Sequence, residues 1–194
     1  DRILTPVEIR DIWTWAKPLS LHSYYANLVI LLLSFGARTQ ELRLSEINEW
    51  DLEACIWVVP AKNSKTKKKI TRPIPEQCRS LIMGLIEQAK VQNSPYLLGE
   101  FKTSEAVSQY GRMLWKQFDH REAWTLHDLR RSLATHLNNQ GVAPYVVEII
   151  LGHALQGAMA HYIHTDRLPE QKQALELWQA LIAEWCISEG NCFS

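Results

Sequence analysis

The chain has 194 residues, 46% of them apolar and 22% charged, which are ordinary proportions for one globular domain. They exclude a disordered tail, a collagen-like fibre and a low-complexity linker. Lys plus Arg and Asp plus Glu both number 21, so the formal net charge is zero and overall charge gives no sign of a nucleic-acid partner.

The first helix is predicted at Thr5-Pro6-Val7-Glu8, a capping box with proline at the first helical position. Ile9, Ile12, Trp13 and Ala16 then recur at helical spacing. A second helix, from about His22 to Phe35, is apolar on most faces and is expected in the middle of the core. Its Leu28–Phe35 stretch is the longest apolar run, about half of the ~18 residues that a membrane span needs. No membrane partner is therefore expected. Gly36 ends the helix, and Thr39 is placed to cap a short one through Leu44.

The period then changes. Cys55-Ile56-Trp57-Val58-Val59 and Lys69–Ile74 read as the strands of a hairpin, with Pro73 and Pro75 marking an exposed edge. Between Lys62 and Arg72 lie Lys62, Lys65, Lys67, Lys68, Lys69 and Arg72 and no acid, so the tip is basic. Helical patterns follow at Pro75–Val91, Thr103–Phe118, His127–Asn139, Pro144–Leu151, Ala158–His161 and Pro169–Ile187. The last carries Ala174, Leu177, Trp178, Leu181, Ile182 and Trp185 on one stripe, which suits either the core or export to another molecule. From Leu168 on, Lys172 stands alone against Glu170, Glu176, Glu184 and Glu189, an acidic counterweight to the basic tip. The fold expected is mainly α with a small antiparallel β-sheet.

Cys55, Cys78, Cys186 and Cys192 form no C-x-x-C pair, which argues against a zinc ribbon or redox motif and fits the reducing cytoplasm. Asp1-Arg2-Ile3 has no Met and no feature of a secretory signal. The chain is accordingly expected to be cut from something longer.

Four places carry groups suited to phosphate chemistry. In Leu126-His127-Asp128-Leu129-Arg130-Arg131, His127 and Arg130 share a helix face, and a guanidinium fork beside an imidazole can clamp a phosphate. A polar helix face explains the same residues when they are taken alone. Arg38 directly follows a helix stop in Gly36-Ala37-Arg38-Thr39-Gln40-Glu41-Leu42, where pairing with Glu41 would also account for it. His153, in Leu151-Gly152-His153, precedes Tyr162 by nine positions. His161 and His164 invite a metal, but no carboxylate or thiol stands at a supporting spacing. The hairpin lysines are either a solvated run or a tip that enters a DNA groove or reaches a phosphate.

Taken in chain order, Arg38, a hairpin lysine, His127-x-x-Arg130, Leu151-Gly152-His153 and then Tyr162 nine residues on resemble the tyrosine recombinases of the phage integrase family. Gly36–Leu42 looks like the family's first arginine box and His127–Arg131 like its second. Trp57-Val58-Val59-Pro60, with Lys65 eight positions past the tryptophan, is similar to integrases of the satellite-phage and genomic-island type.

The resemblance implies a site-specific recombinase that cuts and rejoins DNA for integration or excision of a prophage or genomic island. Tyr162 would form a covalent 3′-phosphotyrosine link. Arg38 and Arg130 would hold the non-bridging oxygens, and His127 and His153 would add hydrogen bonds. A phenol ionises near pH ~10, so one histidine would help take its proton. Lys65 would protonate the leaving 5′ oxygen. No cofactor, ATP or metal is implied, because the phosphotyrosine stores the bond energy. Lys62, Lys67, Lys68, Lys69 and Arg131 would contact DNA.

The implied partners are double-stranded attachment sites, a homotetramer on DNA and an accessory DNA-bending or excision factor, all in a bacterial or phage-infected cytoplasm. Residues 1–194 would be one C-terminal catalytic domain, with a core of 1–167. A tail of 168–194 would dock in trans through Leu177, Trp178, Leu181 and Trp185. The family's N-terminal DNA-clamping domain would be missing.

Two further departures accompany the resemblance. The hairpin is about two residues longer than the family's, which leaves Lys62 and Lys67 as rivals to Lys65. Asp119-His120-Arg121-Glu122 is unusually polar and has no assigned role. Other readings are a type IB topoisomerase-like enzyme that nicks and reseals, a DNA-binding module with a helix-turn-helix over Leu133–Leu151, and a helical scaffold with its polar residues scattered.

Overall fold

The computed structural model describes residues 2–17, 23–163 and 165–188. His22, His164, Cys192 and the end of the expected tail lie outside these. Among the described residues run α1 (Pro6–Ala16), α2 (Tyr24–Phe35), α3 (Thr39–Arg43), β1 (Trp50–Asp51), β2 (Ile56–Val59), β3 (Ile70–Pro73), α4 (Glu76–Val91), α5 (Ser104–Leu114), α6 (Leu126–Asn139), α7 (Pro144–Ile150), α8 (Ala158–Tyr162) and α9 (Leu168–Ile187). The expected class, helices with a small antiparallel sheet, is observed.

α2 is the axis of the core. Only one of its residues escapes full burial, and α1, α6 and α9 all pack against it. A helix apolar on every face must be covered on every face. α1 begins on the expected capping box, where Thr5 and Glu8 satisfy each other's backbone amides.

The sheet order is β1-β2-β3, with Val58 opposite Thr71 and Val59 opposite Ile70. β1 is not apparent in the sequence, since two residues are too few for a periodic signal. It exists because Trp50 stacks on Trp57 with ring centroids 4.5 Å apart, and Phe35 meets both rings edge-on. The strand edge at Pro73 differs from expectation. β3 is at the end of the sheet, yet Ile70–Pro75 is buried, because α9 lies across it.

α9 packs on its own chain, against α1, β3 and α7. Trp178 is wholly buried and its indole N–H donates to the Leu33 carbonyl at 2.7 Å. Leu177, Leu181 and Trp185 are partly buried against the same core. Of the two roles open to this helix, the core role is the one this single chain shows for Trp178. The polar stretch before α6 is also structural: His120 bonds Asp11 and Trp124, and Arg2 holds Glu122.

Candidate active site

Three of the polar residues singled out along the sequence, Arg38, Arg130 and His153, meet beside the end of α2 and the end of α7. Gly36 closes α2 in the left-handed region, and Arg38 then caps α3. The cap is Arg38 and not Thr39. Glu41 accepts the Arg38 backbone N–H at 3.3 Å and pairs with its guanidinium at 3.2 Å.

Arg130 reaches the same place from α6, where it is buried. Nη1 donates to the Gly36 carbonyl at 2.7 Å, and Nη2 donates to the Leu151 carbonyl at 2.7 Å and lies 2.8 Å from His153 Nε2. Arg38 Nη1 approaches the same Leu151 carbonyl at 3.4 Å. Of the five N–H donors a guanidinium carries, two remain on Arg130 for a ligand among the described contacts.

Leu151 and His153 are delivered by the turn that ends α7. Gly152 sits at φ +66°, and a Cβ there would lie 2.5 Å from Ile70 Cδ1. Both the left-handed backbone and the close approach of β3 require glycine at this position.

Arg72 stands behind this group. It is wholly buried, donates to the Ile150 carbonyl at 2.7 Å and to Glu41 at 2.8 Å, and lies over the Trp57 ring at 5.1 Å. Two guanidinium groups, those of Arg38 and Arg72, thus pair with one buried carboxylate, and the charge of Arg130 stands near them. The crowding is legible in protonation. Burial, followed by the charges of Arg38 and Arg72, pulls Arg130 down to about 9, so it stays charged at neutral pH. Burial and the nearby Arg131, Arg130 and Arg38 push His127 below the ordinary histidine value, which leaves its imidazole neutral. A cluster with an excess of buried positive charge favours an anion with two or more oxygens.

The remaining expected residues are His127, the hairpin lysines, Tyr162 and Arg131. His127 lines a depression beside Thr39. Lys62, Lys65, Lys67, Lys68 and Lys69 are all exposed on the loop between β2 and β3. Lys68 and Lys69 border a hollow with His153, and Thr66 does so in two. Tyr162, the last residue of α8, is 78% exposed and makes no hydrogen bond to the arginines among the described residues. Met159, one turn earlier on α8, lines with His153 a cavity of about 590 Å³. Arg131 pairs with Asp128 at 3.3 Å, within the capping box of its own helix. No cluster of three or more His, Cys, Asp or Glu suited to a metal occurs among the described residues.

Three residues of the site carry little or no signal in the sequence. Glu41 stands there only as a possible partner of Arg38, Arg72 only as part of a basic run, and Glu148 gives no signal.

The profile of the phage integrase family matches residues 2–168. The chain belongs to the phage integrase family. As a member it is 28% identical over 162 residues to the tyrosine recombinase XerA of Pyrococcus furiosus, covering 80% of this chain and 56% of that protein. It is 27% identical over 146 residues to XerC of Staphylococcus epidermidis, covering 72% and 48% respectively. The chain thus spans about half the length of these curated relatives. Among solved structures, its fold is similar to a XerA recombinase crystal structure (TM-score 0.65, 18% identity, 100% of this chain and 66% of that one). The XerH site-specific recombinase bound to difH substrate gives 0.64 and 18%, over 92% and 55%. The Tn1549 transposon integrase in complex with circular intermediate DNA gives 0.61 and 18%, over 90% and 64%. No helix among the described residues is long and apolar enough to cross a membrane.

Proposed function

We propose that this chain is the catalytic domain of a tyrosine-type site-specific recombinase that cleaves and rejoins double-stranded DNA. The observation that carries the reading is the cradle in which Arg38 and Arg130 share the Leu151 carbonyl, with Arg72 and Glu41 behind them.

A phosphodiester entering the cradle places its non-bridging oxygens against Arg38 and the two uncommitted donors of Arg130. Charge that develops on those oxygens in the transition state meets donors already in place. The Tyr162 hydroxyl attacks phosphorus, the P–O5′ bond breaks, and a 3′-phosphotyrosine forms. The phenolic proton passes to neutral His127, and a hairpin lysine, Lys65 or its rivals Lys62 and Lys67, protonates the leaving 5′ oxygen. Attack by another strand's 5′ hydroxyl reverses these steps. No metal is needed for charge neutralisation where buried guanidinium groups supply it.

DNA contacts are assigned to Lys62, Lys67, Lys68, Lys69 and Arg131, on a domain whose core is residues 1–167. A homotetramer on two attachment sites and an accessory DNA-bending or excision factor belong to the wider reading, with the mobile-element role resting on the Trp57–Pro60 likeness. The tail of residues 168–194 is the segment proposed to dock in trans, with Leu177, Leu181 and Trp185 only partly buried against the chain's own core. Strand transfer between two differently labelled duplexes tests the function. Joint molecules carrying both labels are expected, whereas nicking and resealing alone would indicate the topoisomerase-like reading.

A further inference from the structure

Glu148 grips His153 twice. Its backbone carbonyl accepts the His153 N–H at 3.0 Å, and its Oε2 lies 2.7 Å from His153 Nδ1. The other ring nitrogen, Nε2, lies 2.8 Å from Arg130 Nη2. A guanidinium offers hydrogen-bond donors and no acceptor, so Nε2 must present its lone pair. The ring proton is therefore on Nδ1, where it donates to the Glu148 carboxylate. The chain of contacts reads carboxylate, imidazole, guanidinium, and each link fixes the next.

From this geometry we infer that Glu148 is a positioning residue for the phosphate cradle: it sets the tautomer and tilt of His153, which in turn aims Arg130. The inference rests on the recombinase reading and adds one residue to it. Before DNA enters, His153 acts on Arg130 as an acceptor. Arg130 has a planar fork with fixed donor directions, so a ring that rotates away from Nη2 frees the guanidinium to twist out of register. The pair is partly solvent-exposed, with side-chain exposures of 38% for His153 and 46% for Glu148, and a salt bridge of this kind adds little to stability. An effect of Glu148 on cleavage therefore separates from an effect on folding.

The experiment has two readouts on the chain, its Glu148→Ala and Glu148→Gln variants, and each paired with His153→Ala. Nitrogen-15 NMR of the histidine rings reads the tautomer directly. Wild type and Glu148→Gln, whose amide oxygen still accepts, are expected to hold the Nδ1–H form, and Glu148→Ala is expected to lose it. Single-turnover cleavage of a nicked suicide duplex, with a cleavage sequence recovered from a random-sequence library, reads the consequence. Glu148→Ala is expected to be slowed ~10-fold or more, the range typical of supporting residues one shell out, with duplex affinity and unfolding temperature unchanged. Added to His153→Ala, it should slow cleavage no further. An Nε2–H tautomer in wild type overturns the inference, as does wild-type cleavage by Glu148→Ala or full slowing on top of His153→Ala. A wild type that forms no covalent adduct overturns the recombinase reading and the role of Glu148 in it, even if the tautomer is as expected.

Discussion

Arg72 and Glu41 face each other inside the protein, Nη2 to Oε2 at 2.8 Å, with neither side chain exposed. Glu41 spends its other oxygen on Arg38, so a residue of β3 sets the position of a residue at the cradle. Removing one member of a buried pair strands the other charge, which costs about 3–5 kcal/mol, whereas replacing both by apolar groups is often neutral. Glu41→Ala should therefore destabilise the chain by about that amount in urea unfolding. Glu41→Leu combined with Arg72→Met should unfold at higher denaturant than Glu41→Ala, yet still form less adduct because Arg38 has lost its tether. Equal stability of the two variants would contradict this role.

Gly152 joins two constraints, a left-handed backbone and contact with Ile70. Gly152→Ala should cost about 1–3 kcal/mol in backbone strain alone and reduce cleavage by displacing Leu151 and His153. Trimming Ile70 to Ala in the same chain should restore part of the activity by relieving the clash. Activity of Gly152→Ala equal to wild type would show that the turn does not govern the cradle.

Acid should unfold the protein through the helix caps. Burial alone would raise the Asp128 carboxyl, but hydrogen bonds from Thr125, the Arg2 amide and Arg131 outweigh it and hold the group below its ordinary value. Burial likewise opposes, and the Arg2 and Thr5 bonds overcome, the shift at Glu8. A carboxyl depressed on folding contributes stability above its unfolded value, near ~4, and loses it as pH falls through the folded value. Unfolding free energy should thus drop steadily below about pH 4. Asp128→Asn should cost about 1 kcal/mol at pH 7 and flatten the acid limb, while an unchanged limb would contradict the assignment.

Trp178 distinguishes a core helix from an exported one. Trp178→Ala should destabilise the isolated chain by about 3–5 kcal/mol, as expected for a fully buried tryptophan. Unchanged unfolding with altered self-association would return α9 to the trans role.

The exposed hairpin lysines should dominate duplex affinity through counterion release. Converting Lys67, Lys68 and Lys69 to Gln should reduce the slope of log affinity against log salt by ~0.9 for each phosphate left without its cation. A slope equal to wild type would remove the loop from the DNA interface.

What can be read from sequence follows local chemistry. The Thr5–Glu8 box, the Gly36 stop and the alternation around Trp57 each fix structure within a few residues. The spacing of Arg38, His127, Arg130, His153 and Tyr162 carries the family because it is a pattern of order. β1 is hidden, since its stability comes from the Trp50–Trp57 stack, a contact between strands. Arg72 and Glu148 are hidden for a related reason: a lysine-rich run masks one buried arginine, and Glu148 acquires meaning only when the α7 turn folds His153 back onto it. The destination of α9 is equally closed, because an amphipathic stripe states that a face will be covered and not by what.

The central claim, that Tyr162 is the nucleophile opposite the Arg38–Arg130 cradle, is tested most directly by covalent trapping. The chain would be incubated with nicked suicide duplexes from a random-sequence library and resolved in SDS, with Tyr162→Phe alongside. An SDS-stable protein–DNA adduct that disappears in Tyr162→Phe is the predicted result. An adduct that persists in Tyr162→Phe would contradict it and place the nucleophile elsewhere.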